Sequence, residues 1–308
     1  MPPVQISTPR GFDFQRTVRS HGWFDLPPFR YDEKARTLDL AFCSGAGVIA
    51  ARLRRKSSRA ITAELTFPPV SAGVRRAAAR EAVATIGSIL RLDEDLAALG
   101  PALRKAPHLL RSVAEGGGRL LRAPTVFEDT VKMMCTVNCS WSLTRLMVGR
   151  LVDSAGAPGP GGVRAFPTPE ALAAQPVAFF RDVIRAGYRA PYLKELVDRV
   201  AAGALDLESL RDPNVASEVA RQRLRSIKGV GDYAADNLLR LLGHHDRLGI
   251  DSWCRASYRR LYPRTAKGDK LLDAAMHRRY RPFAPYQGLA MWLDLTRHWH
   301  KPEAGDWP

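Results

Sequence analysis

The run Arg225-Ser226-Ile227-Lys228-Gly229-Val230-Gly231-Asp232-Tyr233 constrains this chain more than any other stretch. Ahead of it, Val219, Ala220, Leu224 and Ile227 keep helical spacing; behind it, Ala234, Ala235, Leu238, Leu239, Leu241 and Leu242 keep it again. Two helices are therefore joined by a tight Gly-Val-Gly hairpin. Two glycines one residue apart let the backbone turn sharply and approach a ligand closely. Asp232 is expected to cap the second helix and Gly243 to end it. The amides of Gly229, Val230 and Gly231, beside a helix N-terminus, are expected to face outward. There they suit a phosphate oxygen and read no base. Lys228 adds a phosphate contact that salt would weaken. An ordinary αα-hairpin with no ligand can use the same residues.

Charge points the same way. The chain has 308 residues, with 47 Lys and Arg against 31 Asp and Glu, a net charge of +16 and a pI near 10.2. Nucleic acid is the leading partner class, although solvated Arg-rich helix faces give a similar balance. The start has no basic segment leading into an apolar core, and nowhere do 18 consecutive residues lack polar groups, so a cytoplasmic protein without a membrane span is expected. Cys43, Cys135, Cys139 and Cys254 are too scattered for a disulfide framework. Cys135 and Cys139 share a helix face; they read as small buried hydrophobes, with half of a metal site as the other use.

Taken in order, residues 11 to 67 read as mainly β. Thr37 to Phe42, Val48 to Leu53 and Ala60 to Phe67 alternate, with a turn at Ser44-Gly45-Ala46-Gly47. From Ala72 an Ala- and Arg-rich run to Leu92 is helical, continued by Leu96 to Leu99 before Gly100-Pro101. Helices follow almost to the end. The fold class expected is α+β, mainly α: a β-rich unit with a trailing helix over residues 1–110 and a helical unit over 111–308. Gly116-Gly117-Gly118 reads as a loop, since no strand or Walker lysine accompanies it. Asn138 and Ser140 predict a break near position 138 in the pattern from Phe127 to Val152. Thr168-Pro169 opens a further helix, and Asp212-Pro213-Asn214 is expected to begin the one that enters the hairpin.

Asp251 stands before Ser252-Trp253 at the expected start of another helix. Capping that helix and serving as an ionised catalytic carboxylate are compatible roles, because a helix N-terminus favours the charged form. Together these segments resemble the helix-hairpin-helix DNA glycosylases of base-excision repair, notably those acting on 8-oxoguanine and 3-methyladenine. The resemblance rests on Arg119 to Ser140, Phe166 to Leu172, Gly187 to Leu193, the hairpin with Asp251, and Tyr286 to Ala290, in the family's order over roughly residues 85 to 300. It implies that Asp251 stabilises positive charge on the deoxyribose and orients the attacking water. It implies further that Asn138 enters the gap left by a flipped nucleotide and that Arg189 contacts the opposing base. The backbone carbonyls of Arg225, Ile227 and Val230 would hold a structural monovalent cation against DNA phosphate. The partner implied is double-stranded DNA with a damaged base, bound by a monomer, near the nucleoid in a bacterium.

Departures from the family narrow the chemistry. Bifunctional members carry a lysine nucleophile two residues after the second hairpin glycine; Tyr233 stands there, which predicts hydrolysis without strand cleavage. The cysteine pattern of an iron-sulfur cluster is missing after Cys254. Where the 8-oxoguanine enzymes read their base, this chain has Asn237, Leu295 and Met291, so an alkylated purine is the preferred substrate. Tyr233, Trp141, Met134 and Trp253, with Met133 and Trp292, are the candidate base pocket, a use that competes with ordinary core packing. The alternatives are a glycosylase for oxidised or deaminated bases and a noncatalytic DNA-binding protein that keeps the hairpin.

Overall fold

The computed structural model describes residues 2–265 and 268–299. Its N-terminal part is an antiparallel five-stranded sheet, β1 (Val4–Ser7), β2 (Arg30–Asp32), β3 (Thr37–Ser44), β4 (Gly47–Ser57) and β5 (Ala60–Thr66), in the spatial order β1-β5-β4-β3-β2. The alternation seen in the sequence is the pleat: Leu38, Leu40 and Phe42 on β3 are buried against the helices. Two elements depart from the expected run of strands. A short helix, α1 (Phe14–Val18), is capped by Asp13, whose Oδ1 accepts from the Arg16 N–H at 2.9 Å. β1 is four residues long, too short to show a period, and it is recruited by distant pairing of Val4 with Ala63 and Ser7 with Ala60.

The helices follow as α2 (Ala72–Ile89), α3 (Leu99–Ala102), α4 (Pro107–Ala114), α5 (Val126–Thr136), α6 (Trp141–Ala155), α7 (Pro169–Ala173), α8 (Ala190–Ala201), α9 (Ser217–Arg225), α10 (Asp232–Leu242), α11 (Ser252–Leu261), α12 (Asp269–Tyr280) and α13 (Gln287–Leu295). The fold is thus α+β and mainly α. α2 stops short of Leu92 because Arg91 turns to φ 54° and buries its guanidinium, which bonds the Leu241 carbonyl at the end of α10 and pairs with Glu94 at 2.7 Å. Gly100-Pro101 lies inside α3, where a proline in the first turn loses no hydrogen bond. The break near 138 falls between α5 and α6, and Thr168 caps α7 as expected, accepting from the Ala171 N–H at 3.2 Å. Asp212-Pro213-Asn214 does not begin α9. Asp212 Oδ1 closes a turn on the Asn214 N–H at 2.8 Å, and the helix starts at Ser217.

Two hydrophobic cores result. One joins the sheet to α2, α5, α6, α8 and α10 through residues such as Leu53, Ile86, Val131 and Leu238. The other packs α4, α11, α12 and α13 around Leu109, Tyr258, Met276 and Leu289. Asp294 pins the second from within, accepting from Tyr262 Oη at 2.5 Å and Tyr280 Oη at 2.8 Å. Among the described residues no helix is long and apolar enough to cross a membrane.

Candidate active site

The hairpin is shaped by one of its glycines and not by the other. Gly229 has φ 89°, and a Cβ there would meet Tyr192 Cδ2 at 2.9 Å and Met134 Cε at 3.2 Å. Gly231 has φ −86°, open to any residue, and a Cβ would meet only Arg225 Nη1 at 3.9 Å. Packing therefore gives no reason for glycine at 231. The Val230 N–H does not face outward as expected: it donates to the Ile227 carbonyl at 3.0 Å and closes the turn. Among the described residues the Gly229 and Gly231 N–H groups have no protein partner. Asp232 does not cap α10 either. Gly231 is the N-cap, and Asp232 Oδ1 pairs with Arg221 Nη2 at 2.6 Å and Arg225 Nε at 3.3 Å. Gly243, in contrast, ends α10 at φ 104° as the sequence implied. The Lys228 side chain is exposed, 3.8 Å from Glu195. Gly231→Ala is expected to melt within about 0.5 kcal/mol of the parent yet to bind an undamaged duplex more weakly in fluorescence anisotropy. Gly229→Ala is expected to lose about 1–2 kcal/mol of stability from its left-handed backbone. Equal loss of stability in both would refute this division.

Behind the hairpin, the loop after Gly243 delivers Asp251 to the start of α11. Asn237 holds this loop, donating from Nδ2 to the Tyr233 carbonyl at 2.8 Å and the Gly249 carbonyl at 3.3 Å. On the far side Gly288 admits it: the Gly288 N–H donates to the His245 carbonyl at 2.7 Å, and a Cβ would lie 1.9 Å from the Arg247 carbonyl oxygen. Asp251 is the N-cap of α11, its Oδ1 accepting from the Cys254 N–H at 2.7 Å.

Asp251 opens on a cavity of about 310 Å³ where the two cores meet, the size of a small ligand site. Tyr233, Trp141 and Trp253 line it, as do Met133 and Trp292. Met134 does not. Adjacent positions on a helix diverge by about 100°, and Met134 points beneath Gly229 instead. Of the residues aligned with the family's base-reading positions, Asn237 lines the cavity, whereas Met291 and Leu295 are fully buried in the second core. The aromatic wall is continuous: Trp253 lies 5.6 Å from Trp292 and 5.3 Å from Trp299 between ring centroids. Trp141 rests over Gly22 and donates from Nε1 to Asp25 at 2.8 Å. No lysine lines the cavity among the described residues. Burial raises the Tyr233 hydroxyl and the Cys254 thiol, both on the cavity wall, so neither is a ready nucleophile.

His21, Trp23 and Arg240 also line the cavity and were missed in the sequence. His21 and Trp23 belong to the β-rich part and arrive by packing, which no local pattern announces. Arg240 occupies an ordinary charged position of an amphipathic helix. His21 is buried, bonds through Nε2 to the Leu121 carbonyl and packs 4.9 Å from the Trp23 ring. Burial lowers its pKa to about 4, so it is neutral at pH 7. Its folded pKa lies below the unfolded value of 6.5, so its contribution is complete above pH 6.5 and is lost as pH falls through 4. Linkage makes that loss about 3 kcal/mol. Urea unfolding from pH 7 to pH 4 is expected to show it, with His21→Gln flattening the slope; an unchanged slope would remove His21 from the acid response.

Asn138 stands exposed at φ 50° in the turn between α5 and α6, 3.4 Å from Tyr188 Oη. Arg189 is not held out to solvent. It is 5 % exposed and donates from Nε to the Val137 carbonyl at 3.0 Å, clamping the turn that carries Asn138. Tyr188 and Tyr192, 6.3 Å apart, connect that turn to Gly229.

No family model matches the chain, and no curated protein matches it. Solved structures do. The chain is 20 % identical to the 3-methyladenine DNA glycosylase of Archaeoglobus fulgidus, with a TM-score of 0.72 over 95 % of this chain and 98 % of that one. It is 20 % identical to the apo 8-oxoguanine glycosylase/lyase of Clostridium acetobutylicum, with a TM-score of 0.72 over 95 % of each chain. MBOgg1 in complex with a low-affinity DNA ligand superposes with a TM-score of 0.73 at 19 % identity, over 98 % of this chain and 97 % of that one. From the β-rich start through the hairpin to α13, the chain shares the fold of these solved structures.

Proposed function

We propose that this protein is a monofunctional DNA glycosylase that flips a damaged base out of duplex DNA and hydrolyses its N-glycosidic bond. The observation that carries the reading is Asp251. Its carboxylate caps α11 and opens on an aromatic cavity, and the loop that delivers it is tied at Gly249 by Asn237 to the helix that begins at the hairpin. A stacked base hides its glycosidic bond, so the nucleotide must leave the helix to be cut. The Gly229 and Gly231 amides and Lys228 would hold the backbone phosphates, while Asn138 fills the vacated stack and Arg189 supports it. Carbonyl oxygens suit a monovalent cation, and those of Arg225, Ile227 and Val230 would supply the site, although the Ile227 oxygen already accepts one N–H. Asp251 stabilises the positive charge that grows at C1′ and orients water toward it. Tyr233 in place of a lysine, and a cavity wall without lysine among the described residues, support water as the attacking group.

The flat walls suit a purine, and the faces of Trp141, Tyr233 and Trp253 would favour a cationic alkylated one. Arg240 on the same wall favours the second reading, an oxidised or deaminated base. The test offers duplexes with single alkylated, oxidised or deaminated bases and reveals abasic sites with alkali. Release of at least one base is expected; release of none would end the glycosylase reading. A nick formed without alkali, with a borohydride-trapped adduct, would overturn the monofunctional part alone.

A further inference from the structure

Arg240 is 3 % exposed and lines the cavity that holds Asp251. Its guanidinium is met by neutral groups: Nη1 donates to Asn237 Oδ1 at 3.1 Å, Nη2 to the Leu248 carbonyl at 2.5 Å, and the Trp292 ring lies 5.2 Å away. Its Nε, sealed from solvent, has no partner among the described residues. A buried cation served this way is costly, and a leucine or methionine would fill the space without that cost. With His21 neutral and the Tyr233 hydroxyl protonated, the cavity wall carries two opposite charges, Asp251 and Arg240.

That pair matches the charge separation of one class of reaction. When a neutral base departs, the C1′–N bond breaks and both electrons go to the base nitrogen. The deoxyribose becomes positive and the base negative. Water then bonds to C1′ and releases a proton, and the base anion takes one up. A base that is already cationic accepts the same electron pair and leaves neutral, so a nearby guanidinium opposes its binding and does nothing for its departure. We infer that Arg240 is a specificity-determining residue that selects an uncharged lesion base and stabilises it as the departing anion, an inference that rests on the glycosylase reading. Asn237 positions it, since the same side chain holds Arg240 through Oδ1 and the Asp251 loop through Nδ2.

The test measures single-turnover release from duplexes carrying 8-oxoguanine or hypoxanthine, which are neutral, and 7-methylguanine, which is cationic. Each rate is divided by the spontaneous one. The intact protein is expected to accelerate a neutral base more than 7-methylguanine. Arg240→Met is expected to lower the neutral-to-cationic ratio of kcat by about 100-fold, the usual effect of removing one charge-stabilising group, and Arg240→Lys to restore part of it. Acceleration of 7-methylguanine alone, or an equal fall for every substrate in Arg240→Met, would overturn the inference and leave the glycosylase reading standing. Should Arg240→Met fail to fold, the ranking by the intact protein decides by itself. Release from no duplex would remove the glycosylase reading as well.

Discussion

Asp251→Asn is expected to lower base release by about 10²–10³-fold, the scale on which a single electrostatic stabiliser acts, while duplex binding and stability stay near the parent values. The substitution separates the two roles of this residue. Asp251 Oδ1 caps α11 by accepting the Cys254 N–H at 2.7 Å, and asparagine caps as well as aspartate does. What asparagine lacks is the negative charge beside C1′. Asp251→Ala removes both and is expected to lose about 1 kcal/mol of stability in addition. Single-turnover release, anisotropy and thermal melting, measured on both variants, resolve the contributions. Full activity in Asp251→Asn would show that the catalytic carboxylate has been misplaced.

Lys132→Met is expected to cost about 3–5 kcal/mol, because it strands a buried carboxylate. Lys132 is fully buried and pairs with Glu128 one turn away on α5 at 2.6 Å, with the Phe29 ring 4.6 Å and the Phe166 ring 5.7 Å from Nζ. Burial raises the Glu128 carboxyl even with the lysine in place; without it, the carboxylate loses its hydrogen-bonded cation, and the Arg211 charge is the weaker of the two attractions on it. The double variant Lys132→Met with Glu128→Leu is expected to recover most of the loss, since an apolar pair of similar volume carries no desolvation penalty. Urea denaturation of the single and double variants checks both statements. A double variant as unstable as the single one would assign the cost to packing. The pair bears on the site because α5 also supplies Met133 and Thr136 to the cavity wall.

Several features were legible because they are local. The spacing around Gly229 and Gly231 predicted two helices and a hairpin, Gly243 predicted an end, and Thr168-Pro169 predicted a start. Tyr233, Trp141 and Trp253, pocket candidates by their residue types, line one cavity with Asp251. Other readings failed where a tertiary partner competed. Asp232 could cap α10, but Arg221 and Arg225 take its carboxylate. The Val230 amide could face a phosphate, but the Ile227 carbonyl is nearer. Only the tertiary structure shows that Arg189 is buried and donates to the Val137 carbonyl at 3.0 Å.

Periodicity, glycine spacing and the position of one aspartate before a helix determined by themselves the mainly helical fold, the hairpin and Asp251, because each depends on neighbours a few residues away. The rest of the cavity was decided by tertiary structure. His21 and Trp23 from the β-rich part and Arg240 from α10 meet there across more than 200 residues of chain. The charge of such a site follows from which groups burial neutralises and which it leaves ionised, a property of the packed surroundings that no stretch of sequence contains.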